Sequence, residues 1–333
     1  MNSNSDAFIP FLRCIDCGGG LREDIAALVC QACRRSYATV GAVVDFTATE
    51  LGARAREQAA IYDAKEERDE LLNPRVTPLL GRWPDLLLTY REHSRQTRAL
   101  RLQNGAAVLD LGCSTGLFLR SLSTLVSIVP FGIDVSLGSL ARAARAMPNG
   151  CWLLGQADNI PVVDESMDAV FAFDVLEHVP DMARAIGEVA RVLRPGGKAL
   201  FHLPVLDLQG SFDDVHSRIR PDRHRAEMLG AGHFLKNFRT RADVLTYCEQ
   251  AGLAVSRARR FNVMFQNIFD YRLKHRFLGR MFNAGRIPWS WYHNVVAPAI
   301  ELVTVLPDRL IGAAGVGASV YVSTVKATTQ QRN

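Results

Sequence analysis

Between Gly105 and Leu203 five short apolar runs alternate with stretches of helical periodicity, and no other property of the chain narrows its fold as much. The runs are Ala106–Leu111, Val129–Ile133, Cys151–Leu154, Asp168–Phe173 and Lys198–Leu203. Helical segments lie between them at Gly116–Leu125, Gly138–Ala146 and Asp181–Leu193, the last stopped by Arg194-Pro195-Gly196-Gly197. A strand with one face in water alternates apolar and polar residues. Strands apolar throughout must be covered on both faces, and strand–helix–strand repeats of this kind build a parallel sheet. Two further strands are expected near Leu253–Ala258 and Ala318–Val325, the roughly sixty residues between them being an insertion. The expected architecture is therefore α/β, a seven-stranded, mostly parallel sheet with helices on both faces.

Four of the seven cysteines form two pairs, Cys14-x-x-Cys17 and Cys30-x-x-Cys33, separated by twelve residues. The opening residues 1–14 lack the basic start and apolar core of a secretory leader. The longest apolar run, Val295–Leu306, is twelve residues interrupted by Pro298 and Glu301, short of the ~18 that span a bilayer. The expected location is the cytoplasm, where paired cysteines are metal ligands before they are disulfides. Each pair makes a tight knuckle, and two facing knuckles offer four thiolates in a tetrahedron at ~2.3 Å from Zn2+. Gly18 and Gly19 follow the first knuckle, where positive φ lets amides turn toward the sulfurs. With all four positions filled by protein the metal is expected to be structural. With few large apolar residues in the segment, metal binding is expected to supply its folding energy. The strand-like run Val40–Phe46 closes this unit at about residue 48. Residues 49–104 are charged and helical in pattern, broken at Pro74, Pro78 and Pro84. Residues 105–333 hold the sheet, with the insertion at about 259–314.

Val108-Leu-Asp-Leu-Gly-Cys-Ser-Thr-Gly116 leaves the first strand of the sheet and opens a helix. Gly112 and Gly116 have no Cβ to keep a ligand from the backbone. A dinucleotide-binding turn would read G-x-G-x-x-G, yet the residues two and five after Gly112 are Ser114 and Leu117. Asp110 before the turn would repel a pyrophosphate. Asp134 ends the second strand, in Phe131-Gly-Ile-Asp134-Val135-Ser136, where it suits two ribose hydroxyls. Through these residues the stretch from about 105 to 205 resembles the class I S-adenosylmethionine-dependent methyltransferases, in particular those acting on small molecules and lipids. VLDLGCSTG matches their D-x-G-x-G-x-G motif with Ser114 in the middle glycine's place, which asks a non-glycine residue to accept the turn's geometry.

The resemblance implies a Rossmann-like fold and S-adenosylmethionine as methyl donor. It implies that Gly112, Cys113 and Gly116 line the methionine portion, with Asp110 and Ser114 in the same turn, and that Asp134, followed by Val135, binds the ribose. Asp158 and Asn159, in Gln156-Ala-Asp-Asn-Ile-Pro161, match the segment that reaches the adenine. Phe173 and Asp174, in Ala172-Phe-Asp-Val-Leu-Glu-His-Val179, match the stretch flanking the donor methyl. The run LRCIDCGGGL…LVCQACRRSYATVGAVVDF resembles the zinc ribbon of the small activator protein that partners tRNA and protein methyltransferases, a unit also found fused to bacterial methyltransferases.

A sulfonium methyl is already electrophilic, so aligning donor and acceptor is the main task, with a general base where the acceptor is a hydroxyl. His178, after the fourth strand, and His233, in Gly232-His-Phe-Leu-Lys-Asn-Phe-Arg-Thr240, are the candidate bases. His202 and His216 lie on or near the same side of the sheet. For His178 the plainer role is a hydrogen bond to neighbouring backbone. No Asn/Asp-Pro-Pro-Tyr/Phe motif follows the fourth strand, and Cys113, Cys151 and Cys248 form no pair of the kind used on carbon five of a pyrimidine. These absences favour an oxygen or carbon acceptor on a small molecule, a sugar or a lipid-linked compound.

Charge is unevenly spread. From Phe201 onward 18 Lys and Arg face 10 Asp and Glu, so this third carries +8 of a net +5 and the rest carries −3. Residues 257–306 mix Arg, Lys and His with Phe261, Phe265, Phe269, Phe277, Phe282, Trp289 and Trp291, which suits a helical lid over the sheet or a peripheral membrane contact. An rRNA or tRNA methyltransferase is the first alternative, disfavoured because residues 1–50 carry four Arg and Lys against six Asp and Glu. The second is a non-catalytic donor-binding scaffold that acts on a partner through its ribbon.

Overall fold

The computed structural model describes residues 7–47, 56–57, 59–60, 95–208, 210–230, 237–261, 310–311 and 315–328. His233, most of the helical stretch 49–104 and the lid-or-membrane segment beyond Phe261 lie outside these residues. Four short strands come first: β1 (Leu21–Asp24), β2 (Ala27–Cys30), β3 (Ser36–Val40) and β4 (Val43–Asp45). The larger part runs β5 (Ala106–Leu111), α1 (Leu117–Ser123), β6 (Ile128–Asp134), α2 (Leu137–Ala146), β7 (Cys151–Leu154), β8 (Met167–Phe173), α3 (Met182–Val192) and β9 (Leu193–Pro204). It continues with α4 (Phe212–Ile219), α5 (Pro221–Gly230), α6 (Arg241–Gln250), β10 (Leu253–Phe261) and β11 (Ser319–Lys326).

The strands form one sheet in the order β1-β2-β3-β4-β7-β6-β5-β8-β9-β11-β10. From β4 to β9 every pairing is parallel, while β11 is antiparallel to both β9 and β10. β5 lies between β6 and β8, so the chain leaves it in opposite directions on its two sides. In open α/β sheets such a switch point is where ligands bind, in the crevice beyond the carboxyl ends of the strands. All six residues of β5 are buried, as a central strand covered on both faces requires. Its alternation divides the core. Ala106 and Val108 pack with Leu119, Leu122, Leu140 and Ala143 of α1 and α2. Ala107, Leu109 and Leu111 pack with Ile186 and Val189 of α3 and with Val244 and Cys248 of α6.

Sequence and structure part company at three places. Val40–Phe46 is not one strand, because Gly41, at φ 63°, turns the chain between β3 and β4. Arg194–Gly197 is not a bare turn before the fifth parallel strand. It belongs to β9, which begins at Leu193 opposite Met167 and then shifts register. The ribbon is not a separately packed unit either. Phe8, Leu12, Leu21, Leu28, Tyr37 and Phe46 share one buried cluster with Phe131, Ile133, Leu153, Ile160 and Val162. Apolar residues too few to build a core alone are completed by the neighbouring sheet.

Candidate functional site

The four paired cysteines converge. Their sulfurs all lie within 4.8 Å of one another, with Cys14 to Cys33 at 3.6 Å and Cys17 to Cys30 at 3.5 Å. A tetrahedron of thiolates at ~2.3 Å from a central ion has edges of roughly 3.8 Å, so the donor set fits a metal of that size and softness. Gly18 adopts φ 73°, and Gly19 approaches the sulfurs closely, its missing Cβ only 3.0 Å from the Cys30 sulfur. The Tyr37 hydroxyl lies 3.0 Å from the Cys14 sulfur and accepts from the Ile15 amide at 3.1 Å. Burial raises the Cys14 thiol, but bonds from Tyr37 and from the knuckle's backbone outweigh it and lower the thiol to about 6. Cys33 goes the other way, to about 12, because its Arg35 backbone bond is overcome by the neighbouring Cys17 and by burial. Four thiols this close cannot all ionise without a cation among them.

At the carboxyl end of β5 the bend Gly112–Gly116 carries three positive φ values, 66° at Gly112, 46° at Ser114 and 70° at Gly116. Ser114 does accept the left-handed geometry. Asp134 holds it there, since its Oδ2 accepts from the Ser114 amide and its Oδ1 from the Ser136 amide, both at 2.9 Å. The amides of Gly112 and Cys113 both donate to the Ile133 carbonyl, at 2.8 and 3.1 Å. The glycines answer first to packing. A Cβ on Gly112 would stand 2.2 Å from a Val175 methyl, and one on Gly116 would stand 2.6 Å from the Trp152 ring. Trp152, fully buried, fills the space left by Gly116, Gly132 and Gly150.

Asp110 is buried beneath the bend, and burial followed by the charge of Asp134 pushes its carboxyl well above the usual range. Cys113, also buried, is raised by the same causes. Two carboxylates under a backbone bend form a cradle that a cationic ligand relieves and a pyrophosphate aggravates. This donor set fits the amino group and sulfonium of S-adenosylmethionine. Val135 follows Asp134 and is partly exposed. Asp158 and Asn159 stand partly buried in the loop after β7, and burial raises the Asp158 carboxyl.

That loop is fastened from two sides. The Ile160 amide donates to Glu188 Oε2 at 2.8 Å, and Arg191 donates to the Ile160 carbonyl at 2.8 Å and the Val162 carbonyl at 2.7 Å. From the ribbon side the Val163 amide donates to the Phe11 carbonyl at 2.9 Å, and the Arg13 amide to the Pro161 carbonyl at 3.1 Å. Sequence reasoning missed Arg191, Glu188 and Arg13, and nothing local marks them, since each looks like an ordinary surface charge.

Beyond β8, Phe173 meets Phe118 edge to face at 4.9 Å, and Asp174 turns the chain at φ 55°. Glu177 is fully buried, and neither of its oxygens has a hydrogen-bond partner among the described residues; burial, then the Asp174 charge, raise its carboxyl well above the usual range. His178 lies beside it, with Nε2 at 3.8 Å from Glu177 Oε1 and its side chain 11% exposed. His202 Nε2 shares a hydrogen bond with the Ser319 hydroxyl at 2.9 Å, and its Nδ1 stands 2.9 Å from Asp174 Oδ1. His216 lies apart, on α4 near His224. The structure thus gathers the bend, Asp110, Asp134, Phe173 and Asp174 at the carboxyl ends of β5, β6 and β8.

Residues 109–201 match the methyltransferase domain family. Methyltransferase GfsG of Streptomyces halstedii is 30% identical over 188 residues, covering 51% of this chain and 65% of that protein. The malonyl-[acyl-carrier protein] O-methyltransferase of Yersinia pestis is 32% identical over 132 residues, 39% of this chain and 48% of that one. The chain thus spans about half to two thirds of the length of these two relatives. Phosphoethanolamine N-methyltransferase 2 of Haemonchus contortus, solved with S-adenosylmethionine, shares the fold at a TM-score of 0.50 and 16% identity, over 70% of this chain and 53% of that chain. Joined at the edge of its sheet to a four-cysteine ribbon, the chain thus carries a methyltransferase domain over residues 109–201.

Proposed function

We propose that the chain transfers a methyl group from S-adenosylmethionine to an oxygen of a small-molecule, sugar or lipid-linked acceptor, and that Cys14, Cys17, Cys30 and Cys33 hold a structural Zn2+. The observation that carries this reading is the cradle at the end of β5, a left-handed bend at Gly112–Gly116 over Asp110 and against Asp134. The donor supplies an electrophilic methyl on a positively charged sulfur. Asp110 answers that charge from below, and Gly112, Cys113 and Gly116 present backbone to the methionine portion. Asp134 keeps the bend in place and faces the ribose, and Asp158 with Asn159 faces the adenine. An oxygen acceptor is supported by the Yersinia relative, whose name places its methyl on oxygen. The proposed division has the ribbon ending near residue 48, a helical linker to about 104, and the catalytic domain beyond it.

Titration calorimetry with S-adenosylmethionine tests the cradle. Asp134→Ala is expected to weaken binding at least tenfold; an affinity unchanged by that substitution refutes the assignment. Tritiated methyl donor supplied with a boiled extract of the source cells should label a product whose identification fixes the acceptor.

A further inference from the structure

Asp174 is held in a way that its place in the chain does not require. Its φ of 55° is left-handed for a non-glycine residue, a conformation that persists where the surroundings impose it. The Asp174 amide donates to the His202 carbonyl at 2.8 Å, and its Oδ1 stands 2.9 Å from His202 Nδ1. Behind the ring, Nε2 lies 2.9 Å from the Ser319 hydroxyl, and the imidazole rests on Tyr321 with centroids 4.4 Å apart. A relay of close polar contacts therefore runs from Ser319 on β11 through His202 on β9 to the end of β8. Its exposure is graded, with the His202 side chain 4% exposed and that of Asp174 48% exposed. Val175, the next residue, packs against Gly112 of the donor bend, so the exposed end of the relay borders the donor site.

We infer that Asp174 takes the proton from an acceptor hydroxyl, with His202 and Ser319 as the residues that position its carboxylate, an inference that rests on the oxygen-methylation reading above. The imidazole nitrogen 2.9 Å from Oδ1 limits where the carboxylate can stand, and the Ser319 hydroxyl fixes the imidazole in turn. His202 is too enclosed to meet an acceptor; the carboxylate it holds is not. Among the described residues the other titratable groups near Asp174 and His202 are Glu177 and His178 on the turn after β8 and Tyr321, against the His202 ring, on β11. Glu177, fully enclosed, cannot reach an acceptor and offers no competing base. In the transfer the acceptor oxygen bonds to the methyl carbon as the carbon–sulfur bond breaks, that electron pair stays on sulfur, and the hydroxyl proton passes to Asp174.

The test uses the full chain, tritiated methyl donor with boiled source-cell extract as acceptor, and calorimetry with S-adenosylhomocysteine. Asp174→Asn should lower the labelling rate ~100-fold, as loss of a general base does, while changing S-adenosylhomocysteine affinity no more than about twofold. His202→Phe should move the acidic limb of the rate profile to higher pH by removing the polar contact that favours the charged carboxylate, and His202→Asn, which restores a polar N–H, should move it back. Ser319→Ala should act as His202→Phe does, more weakly, and gives a second reading should the histidine variants misfold. Asp174→Asn labelling at the wild-type rate from about pH 5 to 9 overturns the assignment. So does a parallel loss of S-adenosylhomocysteine binding, which would make Asp174 a donor-site residue. A wild-type chain that binds S-adenosylhomocysteine yet labels nothing refutes the methylation reading itself, and this inference with it.

Discussion

Gly112 meets two demands at once, a φ of 66° and a Val175 methyl where its Cβ would stand. Gly112→Ala is therefore expected to cost about 1–3 kcal/mol in thermal denaturation, from backbone strain plus overpacking, and to weaken S-adenosylhomocysteine binding at least tenfold in calorimetry. An alanine variant with wild-type affinity would show that the bend has slack. Glu177 carries a different expectation. Its folded pKa is raised by burial and by Asp174, whereas the unfolded carboxyl titrates near ~4.3. Between those two values the folded chain keeps a proton that the unfolded chain has lost, so stability is greatest below the unfolded pKa and falls as pH rises toward the folded one. Glu177→Gln should remove that decline, and its gain over wild type should grow from acidic to neutral pH in melts across the range. An identical pH dependence in both proteins would contradict the buried, protonated state. The glycines, Ser114 and Asp134 were legible in the sequence because they fall within one short motif and its neighbouring strand. The partners that explain them were not. Val175 and Trp152 meet the bend only through strand pairing, and the Asp174–His202 bond depends on the register that sets Phe173 opposite His202.

Among the elements, the loop after β7 shows best how distant parts of the chain converge on the donor site. Arg191 on α3 holds two of its carbonyls, pairs with Glu188 at 2.7 Å and reaches Asp164 at 2.7 Å, with its side chain 17% exposed. Arg191→Met keeps most of the apolar stem but leaves both carbonyls without their cation and Glu188 with only the more distant Arg13, at 3.9 Å. A loss of about 3 kcal/mol is expected in denaturant unfolding, the scale for breaking one side of a largely buried pair. Because Asp158 and Asn159 sit on the same loop, donor affinity should fall several-fold as well. Unfolding that shifts while affinity stays fixed would confine the clamp to a structural part. The strands and helices of the parallel core were legible because apolar runs and helical periods report burial directly. The join at β4 was not. Val40–Phe46 reads as one continuous strand until Gly41 folds it back, and only then can Val43–Asp45 lie parallel to Trp152–Leu154.

For the whole molecule, that join decides whether the ribbon is an appendage or part of the folding unit. Phe8 and Phe11 both contact the Phe131 ring, at centroid distances of 5.3 and 5.2 Å, and Leu12 pairs with Val162. Each such side chain contributes ~1.5–3 kcal/mol when fully buried, and with Phe11 only partly buried the three together reach about the lower end of the ~5–15 kcal/mol margin of an ordinary domain. The four cysteines lie at the end of this contact, since Cys14 follows Arg13, whose amide bonds the Pro161 carbonyl. Losing a bound metal would therefore loosen the segment that lies against the donor loop as well as the ribbon itself. A chelator strong enough to strip Zn2+ should lower the melting temperature of the entire chain in a single transition, with calorimetric and van't Hoff enthalpies remaining in agreement. It should also weaken S-adenosylhomocysteine binding, and added Zn2+ should restore both. Cys14→Ser should reproduce the effect without chelator. Two separate transitions, of which only the smaller responds to chelation, would mean that the ribbon folds by itself and that the shared core contributes little to its stability.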